Sequence, residues 1–442
     1  MSSTPVTARK ILGLSLPSLG VLAAEPLYLL FDAAVIGRLG ALALAGLAIG
    51  GLVLAQVSTQ LTFLSYGTTA RAARMHGAGR ERDAVGEGVQ ATWLAFAIGI
   101  AIVAVMQLAA GPVVSVLTGG GDIAAEALAW LRVALLGVPF ILVSLAGNGW
   151  MRGVQNTVTP LRFVVFGFAV SAVLCPLLVH GLLGFPRLEL VGSAVANVIG
   201  QGLAGALFVF AVVRASTELR PRWSVMRAQL VLGRDLIVRS LAFQACFLSA
   251  AAVASRFGAA SVAANQVVLH MWNLVSLMLD SLAIAAQTLV GAALGASRTD
   301  DARALAWRLT AWSTVFAVVL AGVFAVGRSF VPELFTTDAS VIDEMHAIWW
   351  IFVAIIPVAG VVFALDGVLL GSGDAAFLRN ATMACAVVGF LPFIWSALVF
   401  DWGLVGIWTG LGVFVGLRML AVAGRVLSGK WLVVGSDRQL RH

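Results

Sequence analysis

Charged residues are scarce in this chain: Asp, Glu, Lys and Arg together make up 11% of 442 residues, against about 25% in a typical soluble domain. Hydrophobic residues make up 60%, and the mean hydropathy is +1.00. This composition excludes a soluble globular protein and predicts a polytopic membrane protein. A net charge of +7 would suggest a nucleic-acid partner in a soluble protein. Here the basic residues are explained by orientation in the bilayer, so no nucleic acid is expected.

Cysteine and histidine are also scarce. The three cysteines lie in apolar runs without paired spacing, which is typical of small buried side chains rather than disulfides. The five histidines show no metal-ligand spacing, and no Ser/His/Asp or Cys/His constellation is present. We therefore expect no cofactor, no metal and no enzymatic activity. The first apolar run is too long for the hydrophobic region of a signal peptide, so we expect it to remain in the mature protein.

The chain consists largely of long hydrophobic runs. With about 20 apolar residues needed to cross the hydrocarbon core, the sequence predicts twelve membrane helices. Their predicted limits are 11–37, 41–70, 84–110, 123–149, 158–182, 190–213, 235–256, 259–292, 302–326, 341–370, 377–400 and 404–428. Arginine and lysine cluster before the first span and after the even-numbered spans. By the positive-inside rule, both termini are expected to be cytoplasmic, in the cell membrane.

The two halves of the chain repeat each other. Arg38-Leu39-Gly40 matches Arg256-Phe257-Gly258, and position 256 lies 218 residues after position 38. The same offset pairs Pro139 with Pro357, and it falls to 214 near the end, where Leu190-Val191-Gly192 pairs with Leu404-Val405-Gly406. Six spans return the chain to its starting side, so the halves are parallel repeats. We predict an all-α membrane protein with two six-helix lobes and a central cleft, namely lobe 1–214, cytoplasmic linker 215–234 and lobe 235–442.

Acidic residues inside the spans are the strongest functional signal. A carboxylate at membrane depth costs roughly 2.5–3.5 kcal/mol on insertion scales, so it usually marks an ion or proton site. Asp32 in span one is the first candidate for ion coupling, and Glu25, two helical turns earlier, is the second. Pro26 removes a backbone hydrogen bond between them and predicts a hinge. The alternative for Asp32 is a structural carboxylate bonded to a neighbouring helix, and that for Glu25 is a group that satisfies backbone freed by the kink.

The acids are not duplicated in the repeat. The offset of 218 pairs Asp32 with Ala250, Asp366 with Asn148 and Asp280 with Thr62. We therefore expect the two lobes to have different functions. Asp366 is expected to line a C-terminal cavity, and a polar contact between helices is the alternative for Asp280. Arg132 is interpreted as the one cation deep in a span, acting as a counter-ion or snorkelling to the surface. The candidates for a substrate cavity are Asp366, Asn148, Gln244, Asp280 and Asn197.

With Glu25-Pro26, Asp32 and Ile36-Gly37-Arg38-Leu39-Gly40, this twelve-span repeat resembles the multidrug and toxic compound extrusion (MATE) family, in its DNA-damage-inducible F (DinF) branch. The segment Met151-Arg152-Gly153 through Thr157 and Pro160 resembles the family's turn after span four. Asp366-Gly367 through Gly371-Ser372-Gly373-Asp374 resembles the equivalent turn after span ten. The resemblance covers nearly the whole chain.

The resemblance implies export of cationic or amphipathic compounds, driven by inward proton or sodium flow, with Asp32 as the coupling carboxylate. Where many members have asparagine and aspartate before a proline in span five, this chain has Ser171 and Cys175 before Pro176. Phe243 and Gln244 stand near the place of a span-seven glutamate of sodium-coupled relatives. These departures leave few hard oxygen ligands, so proton coupling is favoured over sodium. Protonation of Asp32 would release a cationic substrate outward and let span one bend at Pro26.

Two other functions stay open: a sodium-coupled drug antiporter, and a flippase for lipid-linked precursors, since related folds move lipids. The flippases commonly have more spans and a strongly cationic cavity, whereas Arg132 is expected to be the one deep cation here, and this disfavours the flippase. The expected partners are small cationic drugs and membrane lipid, and the protein is expected to be a monomer.

Overall fold

The computed structural model describes residues 8–435, and this part of the chain is helical, without β-strands. The helices are α1 (Ala8–Ile36), α2 (Ala41–Gln60), α3 (Phe63–Gly77), α4 (Glu81–Thr118), α5 (Asp122–Ala134), α6 (Val138–Gly153), α7 (Val158–His180), α8 (Glu189–Ala215), α9 (Trp223–Ala254), α10 (Ala259–Gly295), α11 (Thr299–Val326), α12 (Val331–Phe335), α13 (Ala339–Gly371), α14 (Ala375–Cys385), α15 (Leu391–Val399) and α16 (Gly403–Leu427). Short 3₁₀ turns occur at Leu135–Gly137, Leu182–Gly184 and Gly327–Ser329, and a π-helical turn occurs at Ala386–Phe390. Twelve of the resulting helical segments in this range are long and apolar enough to cross a membrane, which confirms the predicted all-α class and span count.

The repeat is visible in the helix limits. The second span covers Ala41–Gly77, interrupted after Gln60, and the eighth covers Ala259–Gly295 without a break. Both ends of these spans are related by the offset of 218 found in the sequence. The residues before them, Gly40 and Gly258, have φ of 124° and 107°, a backbone conformation that glycine adopts without strain. The matching turns therefore require glycine at the same place in each half.

The chain divides into two compact units. The first, here called the N-terminal unit, is Leu16–Gly233; the second, the C-terminal unit, contains residues from Arg234 onward together with residues 8–15. Inside the N-terminal unit, α3 packs on α6 so closely that a Cβ on Gly149 would meet the Ser65 backbone. Inside the C-terminal unit, a Cβ on Gly367 would meet the Ala283 backbone in the same way, and 283 and 367 lie 218 after 65 and 149. Small residues let membrane helices approach at these crossings.

The core of the C-terminal unit is rich in aromatic side chains. Phe352 contacts Phe324, Trp349 and Trp408 edge to face, and the indole N–H of Trp349 donates to the Phe324 carbonyl. Edge-to-face pairs add about 0.5–1.5 kcal/mol beyond their buried area. They fix α13 against its neighbours and so fix the position of Asp366, further along the same helix.

The seventh span begins earlier than predicted. Helix α9 starts at Trp223, within the segment 215–234 that we predicted to be a linker, rather than at residue 235. Its first turns are held within the N-terminal unit, where the Gln229 amide donates to the Glu87 carboxylate and backbone carbonyl at 2.9 and 3.1 Å. Hydropathy misses these turns because arginine and glutamine interrupt the apolar run there.

Candidate functional site

Asp32 lies fully buried in α1, in the N-terminal unit, with 0% of its surface exposed. The Ser193 hydroxyl of α8 donates a hydrogen bond of 2.8 Å to its Oδ2. The Cys175 thiol of α7 donates to its Oδ1 at 3.2 Å. Three helices therefore meet at one carboxyl group, and each carboxylate oxygen has one neutral donor.

A further layer of polar groups surrounds these donors. The Trp130 indole N–H lies 3.4 Å from the Ser193 hydroxyl oxygen, which it approaches as a donor. Tyr28 lies one helical turn before Asp32, and Ser171 lies one turn before Cys175, so each shares a helix face with its neighbour. Both hydroxyl groups are buried; they lie close enough to interact with each other, but neither has a well-aligned hydrogen-bond partner in the described chain. Buried polar atoms of this kind mark places where water or a ligand can bind.

Among the described residues, no positive charge compensates Asp32. Over residues 8–435, no lysine, arginine or histidine forms an ion pair with its carboxylate. An ionised carboxylate held by one hydroxyl and one thiol keeps an uncompensated charge, and burial of such a charge is costly. The arrangement suits a group that is neutralised by a proton or by a positively charged ligand.

Glu25 and Pro26 are both exposed, unlike Asp32 on the same helix. Glu25 forms no hydrogen bond or ion pair with the described residues. Seven residues separate it from Asp32, which is about 10 Å along a helix, so the two acids stand at different depths although they share a face. Helix α1 continues through Pro26 without interruption. The structure thus brings Asp32, and not Glu25, into the polar cluster.

Two of the predicted cavity residues, Asn148 and Asn197, belong to the N-terminal unit. Asn148 is buried, and its Oδ1 has no hydrogen-bond partner in the described chain. Asn197 is also buried and lies one turn after Ser193 on α8. Gln244 and Asp280, of the C-terminal unit, are half-buried on α9 and α10.

Asp366 occupies a different environment, in the C-terminal unit. Its Oδ2 accepts hydrogen bonds from Nη2 of Arg239 on α9 and Nη2 of Arg418 on α16, each at 2.5 Å. Arg418 is 5% exposed. The prediction that Arg132 is the one cation deep in a span is therefore wrong. Arg132 is exposed, whereas Arg239 and Arg418 are held inside by a carboxylate and by aromatic rings.

The two buried arginines also bear on the choice between the candidate functions. The count of deep cations does not separate a drug antiporter from a lipid flippase, since the C-terminal unit carries two arginines around one aspartate. The environment of the Asp366 carboxylate also differs from that of Asp32, because its hydrogen-bond donors are permanently charged guanidinium groups.

Several residues of these two clusters were missed by sequence reasoning. Ser193, Trp130 and Tyr28 carry no signal in sequence, since polar uncharged residues are common in membrane helices. Cys175 was noted as a departure from the family pattern but was interpreted as a buried hydrophobe; it is buried and free, yet it also contacts Asp32. Arg418 had a signal, because it interrupts the apolar run of span twelve.

Comparison with known proteins decides the family. The MatE family model matches residues 17–177 and 236–395, which is most of the chain and covers both units. This chain belongs to the MATE family. As a MATE protein it is a multi-pass membrane transporter of the multidrug efflux class, and not an enzyme. The resemblance found from the motifs in spans one, four and ten is thereby confirmed.

Two relatives and one solved structure show how far the similarity extends. The MATE protein described here is 31% identical to Protein DETOXIFICATION 44, chloroplastic, of Arabidopsis thaliana, over 97% of this chain and 84% of the relative. It is 30% identical to DNA damage-inducible protein F of Escherichia coli K12, over 93% and 90%, which supports the predicted DinF branch. A crystal structure of a MATE protein in the bent conformation matches with a TM-score of 0.85 at 20% identity, over 96% of this chain and 94% of the other.

Proposed function

We propose that this MATE protein is a proton-coupled antiporter that exports cationic or amphipathic organic compounds, and that Asp32 carries the proton. The observation that supports this most directly is the environment of Asp32. Its carboxyl group is fully buried, receives only neutral donors and has no ion-pair partner in the described chain. A proton and a cationic substrate can then compete for one negative charge.

The competition supplies the coupling. The ionised Asp32 carboxylate attracts a cation, and it does so strongly because the carboxylate is buried. When the carboxyl group takes a proton from outside, that attraction is lost and the substrate leaves. Loss of the proton toward the cytoplasm restores the charge for the next cycle. Exchange of one inward proton for one outward monovalent cation moves no net charge across the membrane, so the pH gradient drives the cycle. Each ligand shifts a balance between outward and inward states that exists without it.

The donors around Asp32 favour a proton over sodium as the coupling ion. Hard cations prefer several oxygen ligands, and here one of the two groups bonded to the carboxylate is a thiol. A proton needs only one carboxylate oxygen and a route through polar groups. The buried hydroxyls of Tyr28 and Ser171 offer hydrogen-bonding positions for water on such a route.

The remaining expectations belong to the same proposal. The protein acts as a monomer in the cell membrane, with both termini cytoplasmic, and needs no cofactor. Pro26 serves as the hinge of α1, and Glu25 is a second, exposed acid that attracts cations toward the site. Asn148 and Asn197 provide neutral polar contacts for substrate in the N-terminal unit.

Transport in proteoliposomes tests the proposal. Efflux of norfloxacin or ethidium is measured under an imposed pH gradient without sodium, and then under a sodium gradient with the pH clamped. We expect transport in the first condition and none in the second. Transport driven by sodium alone would overturn proton coupling.

The matched substitution is Asp32→Asn, which keeps the shape of the side chain and removes its charge and proton. We expect this variant to insert normally and to lose pH-driven efflux. The control is Asp338→Asn, at the exposed N-cap of α13, where asparagine also caps well. Unimpaired transport by Asp32→Asn would contradict the proposal that Asp32 carries the proton.

A further inference from the structure

The cluster of Arg239, Asp366 and Arg418 carries a net positive charge inside the C-terminal unit. We propose that this triad is a binding site for the carboxylate of an aromatic organic acid. The inference goes beyond proton coupling at Asp32 and does not depend on it. It rests on the charge count, on unpartnered donors, on the surrounding rings and on a comparison of the two halves of the chain.

The triad contains two positive side chains and one negative side chain. Each guanidinium is permanently charged, and over residues 8–435 Asp366 is the one acid that forms an ion pair with either of them. Two positive charges therefore share one negative charge. Charge inside membrane spans is costly and is normally compensated by a partner. A second anion would complete the compensation.

The hydrogen bonds of the two arginines also leave donors for a second anion. Both arginines reach the same oxygen, Asp366 Oδ2, through Nη2. The Nε–H groups of Arg239 and Arg418 are buried and have no partner in the described chain. A guanidinium binds carboxylates best through two parallel N–H groups. Since Asp366 occupies only one N–H of each arginine, donors remain for another carboxylate.

Phenylalanine rings border these donors. The Arg418 guanidinium carbon lies 5.0 Å from the centroid of the Phe243 ring and 5.8 Å from that of Phe414. The Arg239 guanidinium carbon lies 5.7 Å from the Phe243 centroid. Phe390 stacks on Phe414 at 5.6 Å between ring centroids. These rings favour a ligand that presents an aromatic face beside its carboxylate.

An unusual backbone turn lies beside the triad, and one of its arginines is not fully buried. Phe390 ends the π-helical turn Ala386–Phe390, and π turns inside helices occur frequently at functional sites. The Arg239 side chain keeps 15% of its surface exposed, against 6% for Arg418. A ligand can therefore reach the triad from the Arg239 side.

The repeat argues against a purely structural role. By the offset of 218, the positions of Arg239 and Asp366 correspond to Val21 and Asn148, and by the offset of 214 that of Arg418 corresponds to Ala204. The N-terminal unit forms the same helices with no charge at these three positions. The fold does not require the triad, so its charges serve something else.

Binding of benzoate to the purified full-length protein in detergent tests the proposal. Calorimetry or equilibrium dialysis compares benzoate with benzyl alcohol, which keeps the ring and loses the charge, and with acetate, which keeps the charge and loses the ring. We expect saturable binding of benzoate, and binding weaker by about tenfold or more for either analogue. Chloride and inorganic phosphate should not compete at equal concentration.

Two substitutions give opposite expected effects. Arg418→Gln removes a donor and should weaken benzoate binding by about tenfold. Asp366→Asn removes the competing carboxylate and should strengthen it several-fold. A structural role for the triad would make both variants bind worse. If Arg418→Gln fails to elute as a folded monodisperse protein, Arg239→Gln, at the more exposed arginine, replaces it with the same expected loss.

Three results would overturn the inference: no saturable benzoate binding at millimolar concentration, weaker binding by both kinds of variant, or competition by chloride or phosphate as strong as that of benzoate. Asp32→Asn should bind benzoate like the unmodified protein. Failure of proton-driven efflux and failure of this inference are therefore separate outcomes.

Discussion

Ser193 donates a hydrogen bond of 2.8 Å to Oδ2 of Asp32, although 161 positions separate the two residues in the chain. The bond joins α8 to α1 inside the N-terminal unit and stabilises the ionised form of the carboxyl group, since a hydroxyl donor favours negative charge on its acceptor. The bond therefore contributes to the balance between the ionised and the protonated form of the group that we propose to carry the proton.

Ser193→Ala tests that balance. Loss of the donor disfavours the charged carboxylate, so Asp32 should keep its proton up to a higher pH. The profile of pH-driven efflux should move to higher pH by about one to two units, since a hydrogen bond to a charged group contributes about 1.5–3 kcal/mol and one pH unit corresponds to about 1.4 kcal/mol. The measurement is the initial efflux rate in proteoliposomes between pH 5 and about 9.

The control for this shift is Ser313→Ala, in the C-terminal unit. Ser313 is fully buried and donates to the Gly360 carbonyl at 2.7 Å. Its loss should lower stability without moving the pH profile. A profile for Ser193→Ala that coincides with that of the unmodified protein contradicts the role given to Ser193.

The glycine at the crossing of α13 and α10 gives a second prediction, on stability. A Cβ at Gly367 would meet the Ala283 backbone, which cannot move aside as a flexible side chain can. Gly367→Ala should therefore destabilise the C-terminal unit by about 1–3 kcal/mol, the usual cost of overpacking. The apparent melting temperature in detergent measures the effect.

Gly322→Ala is the matched control for the crossing. Gly322 lies inside α11, and a Cβ there meets nothing within 4 Å. Alanine is the better helix former by about 1 kcal/mol, so this variant should melt at the same temperature or higher. Equal losses for the two variants would show that the close helix contact is not responsible.

A third prediction concerns two ion pairs of the N-terminal unit that differ in burial. Arg71 binds the Glu87 carboxylate through two N–H groups, at 2.7 and 2.6 Å, and Glu87 is 2% exposed. Arg80 and Asp83 form a pair that is about two-fifths exposed on both sides, at 42% and 41%. Breaking a fully buried pair costs about 3–5 kcal/mol, and an exposed pair contributes about 1 kcal/mol or less. The Arg71–Glu87 pair lies between these limits, because the Arg71 side chain is 21% exposed.

Glu87→Gln should therefore lower the melting temperature far more than Asp83→Asn. The loss should also loosen the start of α9, since Gln229 bonds to the same carboxylate. Hydrogen exchange of residues 223–233, compared between the two variants, measures this second effect. Equal exchange in both would mean that Glu87 does not hold the start of α9.

The fold was largely predictable because each span follows from a long apolar run and each repeat match follows from aligned glycines, arginines and prolines. The start of α9 was not predictable, because the polar residues of Trp223–Gly233 hide the helix from hydropathy. Their helical form depends on contacts with distant parts of the chain, such as Gln229 with Glu87. Local sequence carries no information on such contacts.

The candidate sites were predictable only in part. A carboxylate inside an apolar run is easily recognised in the sequence, so Asp32 and Asp366 were identified as candidate site residues. Their surroundings were not found, because Ser193 and Cys175 come from helices far along the chain. Asp32 accepts hydrogen bonds from neutral donors and Asp366 accepts them from two arginines, and this difference depends on contacts between helices that are distant in the chain.

The last prediction concerns the triad as a unit. Asp366→Leu leaves the guanidinium groups of Arg239 and Arg418 buried without their anion, and this should cost about 3–5 kcal/mol. Replacing all three residues together, by Arg239→Met, Asp366→Leu and Arg418→Met, removes the charges along with the need to compensate them. The triple variant should therefore be more stable than the single one, with a melting temperature near that of the unmodified protein. A triple variant less stable than Asp366→Leu would show that the arginine side chains stabilise α9 and α16 through other contacts, such as those with Phe243 and Phe414.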